Sequence, residues 1–293
     1  MVRPRIYQSV TSRWVGRVLA TLTVLLVGLG GYATLIEPAR LTVHRAEIEV
    51  PRWPKALSGA KVALLSDLHI GSPSWDLPRL RELVQRVNAE QPEIVLLAGD
   101  YLINDIVGGH FVAIEPIADE LAKLHAPWGV VAVLGNHDWW NDGAHVRSVL
   151  QQRGIRVLDD EALRIDARGS SFVVLGLADI EVRRRTPQQE LALAPAGAPL
   201  LVLVHEPDVF AKLDERASLT LAGHTHGGQV CLPLLGRLIV PSAFGQRYAA
   251  GEIVENGRHL FVTTGLGTSI LPVRFGVVPE IALLSLRAPG SDR

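Results

Sequence analysis

The 293-residue sequence predicts an α/β fold: a parallel sheet built by βαβαβ steps, with a second, mixed or antiparallel sheet packed against it. Three observations lead there. Short apolar runs of the kind that form buried strands recur along the chain as KVALLS, IVLLAG, VVAVLG, LVLV and SLTLAG. Stretches with helical spacing separate the first three, and after Ser170 helices thin out while short strands dominate. Each of the five runs also ends in side chains that can bind a metal ion, which is where open α/β sheets carry their sites.

The elements follow in order. Val18–Ile36 is 19 residues without a charge. At about 1.5 Å per residue it nearly crosses a hydrocarbon core of about 30 Å, so it reads as a transmembrane anchor. A signal peptide cleaved near Gly31-Tyr32-Ala33 is the competing reading, and the length of the apolar stretch favours the uncleaved anchor. Arg3, Arg5, Arg13 and Arg17 precede it with no acidic residue before Glu37. That bias places segment 1–17 in the cytoplasm and the following domain on the outer, periplasmic or extracellular side. Segment 37–60 reads as a linker with an edge strand over LTVHRAEIEV, and the main domain as 61–286 with a tail over 287–293. Crossover helices are expected over Leu77–Glu90, Phe111–Leu124 and Val146–Arg153. Later strands are expected at Phe172–Leu177, Leu201–Val204, Leu219–Ala222, Arg258–Thr263 and Glu280–Leu286, all in the second sheet, with a short helix and loop over 187–199.

Composition is 48% hydrophobic and 20% charged, ample for one large domain with an appendage. A net charge of −1 excludes a nucleic-acid binder that works by bulk electrostatics. The single cysteine, Cys231, excludes an intrachain disulfide and reads as a small buried hydrophobe.

The strand-end clusters are Asp67 with His69, Asp100, Asn136 with His137 and Asp138, His205, and His224 with His226. Together they suit two divalent ions about 3.5–4 Å apart. Asp100, alone on a Gly-Asp turn, is the natural bridge. Asp67, His69 and His226 would complete one ion's shell, and Asn136, His205 and His224 the other's. In an extended chain, residues two apart point the same way, which explains His224-x-His226. Gly99, Gly135 and Gly223, each preceding a ligand, fit turns that need permissive backbone angles. Imidazole, carboxylate and amide without thiolate suit manganese, iron or zinc. The reaction expected of such a site is attack of a metal-bound hydroxide on a phosphate ester. His137 would serve the leaving oxygen as acid or charge stabiliser, and Asp138 would orient its ring. His44, His110, His125, His145 and His259 lack such settings and read as ordinary histidines.

The ordered set Asp67-x-His69, Gly99-Asp100, Gly135-Asn136-His137-Asp138, His205 and Gly223-His224-x-His226 resembles the calcineurin-like metallophosphoesterase superfamily. The resemblance spans residues 61 to about 286. It implies a four-layer α/β/β/α sandwich of two mixed sheets, with dinuclear catalysis. GHTHGGQVCLPLLG, PSAFGQRYAAG and LPVRFGVVPE resemble its membrane-associated bacterial branch, which includes YkuE-like and YaeI-like phosphodiesterases. A related branch that hydrolyses UDP-2,3-diacylglucosamine in lipid A synthesis gives one alternative, and a non-catalytic binding module on the same fold gives another. Protein phosphatases of the superfamily carry arginines after the two central motifs. Here YLIND and DWW stand there, so a phosphodiester or pyrophosphate, lipid-linked in view of the anchor, is the expected substrate. Trp139 and Trp140 are candidates for an apolar rim, unless one of them packs on the sheet. Arg183, Arg184 and Arg185 form either a phosphate clamp or a solvated charge run.

Overall fold

The computed structural model describes residues 6–291, with side chains from Arg13 onward; Arg3 and Arg5 lie outside the described residues. The first half runs α1 (Ile6–Gly31), β1 (Thr42–Glu49), β2 (Ala60–Leu65), α2 (Leu77–Ala89), β3 (Ile94–Leu97), α3 (Ile114–Leu121), β4 (Val130–Ala132), α4 (Asn136–Gln152) and β5 (Arg156–Val157). The second half runs β6 (Glu161–Ala167), β7 (Ser170–Gly176), α5 (Pro187–Leu191), β8 (Leu200–Leu203), β9 (Leu219–Ala222), β10 (Cys231–Leu232), β11 (Gly236–Arg237), β12 (Gly251–Glu255), β13 (Arg258–Val262) and β14 (Glu280–Arg287).

Two six-stranded sheets result, ordered β1-β14-β2-β3-β4-β5 and β12-β13-β9-β8-β7-β6. In the first, β2 to β5 are parallel, and β14 runs antiparallel to β2. In the second, β7, β8, β9 and β13 are parallel, flanked by antiparallel β6 and β12. Both sheets are mixed, as the four-layer sandwich requires. The apolar runs are continuous because alternate residues serve opposite faces. Val62 and Leu64 enter the core between the sheets, against Leu201, Leu203, Leu219 and Phe261. Ala63 and Leu65 face outward beneath α2, α3 and α4. On the far side, Leu200, Val202 and Val204 are covered by Leu191 of α5 and by Val209 and Phe210 of the 3₁₀ turn Pro207–Lys212. The fourth layer is therefore thin. Truncating one of these buried leucines to alanine costs about 2–5 kcal/mol.

Several expectations shift. The pattern of Glu280–Leu286 predicts a strand of the second sheet, but β14 lies inside the first, between β1 and β2. It is apolar on both faces, with Ala282, Leu284 and Leu286 in one core and Ile281 and Leu283 in the other, so its pattern suits an interior position in either sheet. β6 and β12 escaped notice because they are edge strands whose alternate residues are exposed. β1 pairs along its whole length with β14, and Ile48, Val50, Trp53 and Leu57 enter the inter-sheet core. The stretch before Lys61 is thus integral to the sandwich. Cys231, in the β10–β11 hairpin, is half-exposed rather than buried.

The helix continues from α1 into a π-type turn over Tyr32–Ile36. Arg13–Ile36 is 24 residues long, about 36 Å at about 1.5 Å per residue, and is long and apolar enough to cross a membrane.

Candidate metal centre

All five candidate ligand clusters meet at one edge of the sandwich, because they follow the carboxyl ends of parallel strands in both sheets. Asp67 and His69 follow β2, Asp100 follows β3, His205 follows β8 and His224 follows β9. Asn136, His137 and Asp138 differ from expectation in forming the first turn of α4, set off from its remainder by the extended residue Asp142.

The side chains form two triads linked through a third group, His69, Asp100 and His137, so that Asp100 of one triad adjoins His69 of the other. Asp67, His69 and His226 offer ligand atoms within 4.8 Å of one another, as do Asp100, His205 and His224. Asp100 Oδ2 lies 3.2 Å from His205 Nε2 and 3.6 Å from His69 Nε2, so it reaches both groups. Asn136 Oδ1 lies 3.1 Å from His205 Nε2 and 3.2 Å from His224 Nδ1. His69 Nε2 and His226 Nε2 approach to 3.1 Å.

Carbonyls behind the site fix two ring tautomers. His69 Nδ1 donates to the Leu102 carbonyl at 3.0 Å, and His205 Nδ1 to the Ala98 carbonyl at 2.7 Å. Each Nε2 is thereby turned to the centre. The backbone is held under tension. Asp67, His69, Asp100, His224 and His226 have φ of 54°, 43°, 59°, 69° and 50°, in the left-handed region. Residues other than glycine there cost about 1–3 kcal/mol each and persist only where neighbours over-determine them. Here Asp67 N donates to Gly99 O, His69 N to Asp100 O, and Gly267 N to Asp67 O.

Of the three glycines expected at such angles, only Gly99 has a positive φ, 92°. Gly223 is required by space instead: a Cβ there would stand 1.8 Å from Ser66 Oγ and 2.7 Å from Asp67 Oδ2. Gly135 is similarly pressed against Asp100 and His205.

Asp138 ties backbone segments together instead of orienting His137. Its buried carboxylate does not meet the His137 ring. It accepts from the backbone N–H groups of Asp100, Tyr101 and Gly135 at 2.9, 2.9 and 3.0 Å, tying the Asp100 turn to the start of α4. His137 itself is half-buried, with its ring 4.8 Å from that of His69 and 4.5 Å from that of Trp140. Its backbone N–H donates to Asp100 Oδ1 at 2.9 Å. The tryptophans divide: Trp139 packs on the core beneath α4, while exposed Trp140 lines the cleft and donates to Glu181. Arg183 is spent on the Ala178 carbonyl and Glu190, and Arg185 on Asp160, so neither is a free phosphate clamp.

Arg274, missed from sequence, is fully buried. It donates to the carbonyls of Gly267 and Thr264 and stands 3.5 Å from His226 Nδ1. An arginine inside the apolar LPVRFGVV was the available signal.

The donor set fits divalent cations. Burial raises Asp67 to about 6 and Asp138 to about 7. Burial would also raise Asp100, but His205 beside it holds that carboxyl well below its usual range. Burial lowers His69 to about 3 and His224 to about 4, leaving neutral imidazoles with available lone pairs. Burial lowers His205 too, but Asp100 beside it outweighs that and holds the ring well above its ordinary value, so the cluster draws positive charge to Asp100, which two dications sharing it would supply.

The centre floors a cleft of about 430 Å³. Its walls include Trp140, Val230, Leu238, Ile239, Ile270 and Leu271, and among the described residues lining it there is no lysine or arginine.

Residues 60–228 match the family model of the calcineurin-like phosphoesterases. The chain is 32% identical over 263 residues to the uncharacterised metallophosphoesterase YkuE of Bacillus subtilis, covering 88% of this chain and 90% of that one. It is 33% identical over 230 residues to the phosphodiesterase YaeI of Escherichia coli, covering 77% and 82%. It is also 28% identical over 285 residues to a transmembrane protein with metallophosphoesterase domain from Danio rerio, covering 92% of this chain and 62% of that one.

Proposed function

The chain belongs to the calcineurin-like phosphoesterase family, and on that premise we propose that it is a membrane-anchored, dinuclear phosphodiesterase. The observation that carries the dinuclear reading is the reach of Asp100 to both His69 and His205. Asp67, His69 and His226 would hold one ion together with Asp100, and Asn136, His205 and His224 would hold the other. Bound manganese, zinc or iron supplies Lewis acidity, neutralising phosphate oxygens and acidifying water at neutral pH.

The residues of the chain do the rest. The His69 and His205 tautomers are set by the Leu102 and Ala98 carbonyls, so the ligands need little rearrangement. Asp138 keeps Asp100 and Asn136 in register through backbone bonds. His137 faces the cleft where a leaving oxygen would lie. Burial lowers its pKa, so near neutral pH the ring acts as a neutral N–H donor that stabilises charge on that oxygen. Trp140 and the aliphatic walls shield this end from water. The lack of cationic side chains along the cleft supports a singly charged diester or a pyrophosphate over a doubly charged monoester. The apolar helix over Arg13–Ile36 and the transmembrane zebrafish relative support the anchor.

Purified, metal-loaded protein should cleave bis-p-nitrophenyl phosphate faster than p-nitrophenyl phosphate. Elemental analysis should find about two ions per chain, and chelation should abolish turnover. Preference for the monoester would overturn the substrate class. Active enzyme with one ion or fewer would overturn the dinuclear reading.

A further inference from the structure

Exposed aliphatic side chains that no packing explains line the cleft over the centre and continue into the adjoining β10–β11 hairpin. In the β10–β11 hairpin, Leu234 is fully exposed and Leu235 is 68% exposed. Leu238 and Ile239 follow, at 57% and 78%. Across the cleft, Ile270 and Leu271 are 72% and 54% exposed. Large exposed apolar side chains gathered about one cleft mark an interaction site. Leu234 and Ile270 also have φ of 68° and 63°. A β-branched or bulky residue there is an outlier that solvent exposure alone would select against, since glycine or asparagine would relieve the strain.

The surface is tied to the end of the apolar helix. Arg274 N donates to Ala33 O, and the Tyr32 and Phe275 rings meet edge to face at 6.3 Å. Val277 N donates to the Glu37 carboxylate at 2.8 Å. From Phe275 the chain bonds onward to the hairpin, with Cys231 N donating to Phe275 O and Phe275 N to Gln229 O. The Gln229 amide in turn donates to Ser269 O and Leu271 O and accepts from Ser269 N. Hairpin, Ile270 turn and helix end are thus one bonded unit. From Gln229 to Gly245 there is no acidic residue and one cation, Arg237, a composition that suits lipid headgroups.

We propose that Leu234, Leu235, Leu238, Ile239, Ile270 and Leu271 form a rim inserted into the bilayer leaflet at the exit of α1. The metal cleft then opens toward lipid and takes phosphodiesters that carry an acyl chain. This rests on the phosphodiesterase reading above and names its substrate class: the phosphate lies over the ions while the chain runs along the aliphatic wall into the leaflet.

The test uses the full chain reconstituted in phosphatidylcholine–phosphatidylglycerol vesicles. Leu235→Cys, in a Cys231→Ser background, carries an environment-sensitive fluorophore. Asp166→Cys, at the β6–β7 turn, serves as the aqueous reference, because that turn lies at the opposite strand ends from the ligands. The Leu235 label should be quenched by nitroxide lipids and protected from iodide, with the reverse at Asp166. Iodide access at Leu235 equal to that at Asp166 overturns the proposal.

A second arm compares Leu234→Asp/Leu235→Asp with the wild type on two substrates with one leaving group. Hydrolysis of the p-nitrophenyl diester of phosphatidic acid in vesicles should fall by about tenfold or more, as loss of interfacial insertion requires, with bis-p-nitrophenyl phosphate unaffected. Equal rates on the lipid diester overturn the proposal and leave the phosphodiesterase reading standing. A lipid-buried label on protein that cleaves neither diester retains the rim and removes that reading instead.

Discussion

His137 separates ion binding from turnover because its two contributions come from different atoms. The backbone N–H steadies Asp100, while the ring faces the cleft. His137→Ala keeps the first and loses the second, so bound metal should be unchanged by elemental analysis. Turnover on a diester with an alkyl leaving group should fall by about 10²–10⁴, and by less when p-nitrophenol leaves. Unchanged turnover on the alkyl diester would refute the assignment. The candidate ligands were legible because each ends an apolar run, and strand direction brings those ends together. Asp138 was misread for a physical reason: beside a histidine, a carboxylate that orients a ring and one that ties backbone loops look alike in sequence. Arg274 escaped because its burial depends on Gly267 and Thr264, which approach it only in the folded chain.

Among the elements, α5 carries an unused buried acid. Glu190 is fully buried beneath Arg183, and burial outweighs that guanidinium to raise its pKa from 4.5 to about 7, with Asp160 adding to the rise. Folding therefore favours the protonated form. The resulting stabilisation is complete below about 4.5 and fades as pH rises through about 7. Glu190→Gln removes the titration, so the melting temperature of the variant relative to the wild type should climb between about pH 5 and about pH 8.5. Parallel melting curves across that range would show that Glu190 does not titrate there. The interior strands were legible because they are apolar throughout; β6 and β12 were not, because an edge strand with one wet face resembles a polar loop. Sheet membership of β14 was hidden for the opposite reason, since a strand apolar on both faces suits the interior of either sheet.

At the scale of the whole molecule, the helix and the sandwich meet through residues 33–39, so the point of truncation matters. Trp75 Nε1 donates to Pro38 O at 3.2 Å, Arg79 donates to Ala39 O, and Glu37 takes the Val277 N–H. A chain beginning at Tyr32 should be soluble without detergent and cleave bis-p-nitrophenyl phosphate at the full rate. One beginning at Leu41 leaves those donors unpaired and should melt lower by on the order of 5 °C in a thermal scan. Equal melting temperatures would show the junction to be loose. The position of β14 also governs how the protein is made. β1 emerges right behind α1, yet its one sheet neighbour is the last of the described strands to leave the ribosome. Until Glu280–Arg287 appears, β1 and β2 present bare edges with the whole intervening chain between them, a closure expected to be slow. That final strand also delivers Glu280, which accepts from Thr263 and Thr264 and whose N–H donates to Gly265, beside Asp67. The segment that braces the Asp67 side of the centre is therefore made after every other described strand, so the centre gains that support only once the rest of both sheets has been synthesised.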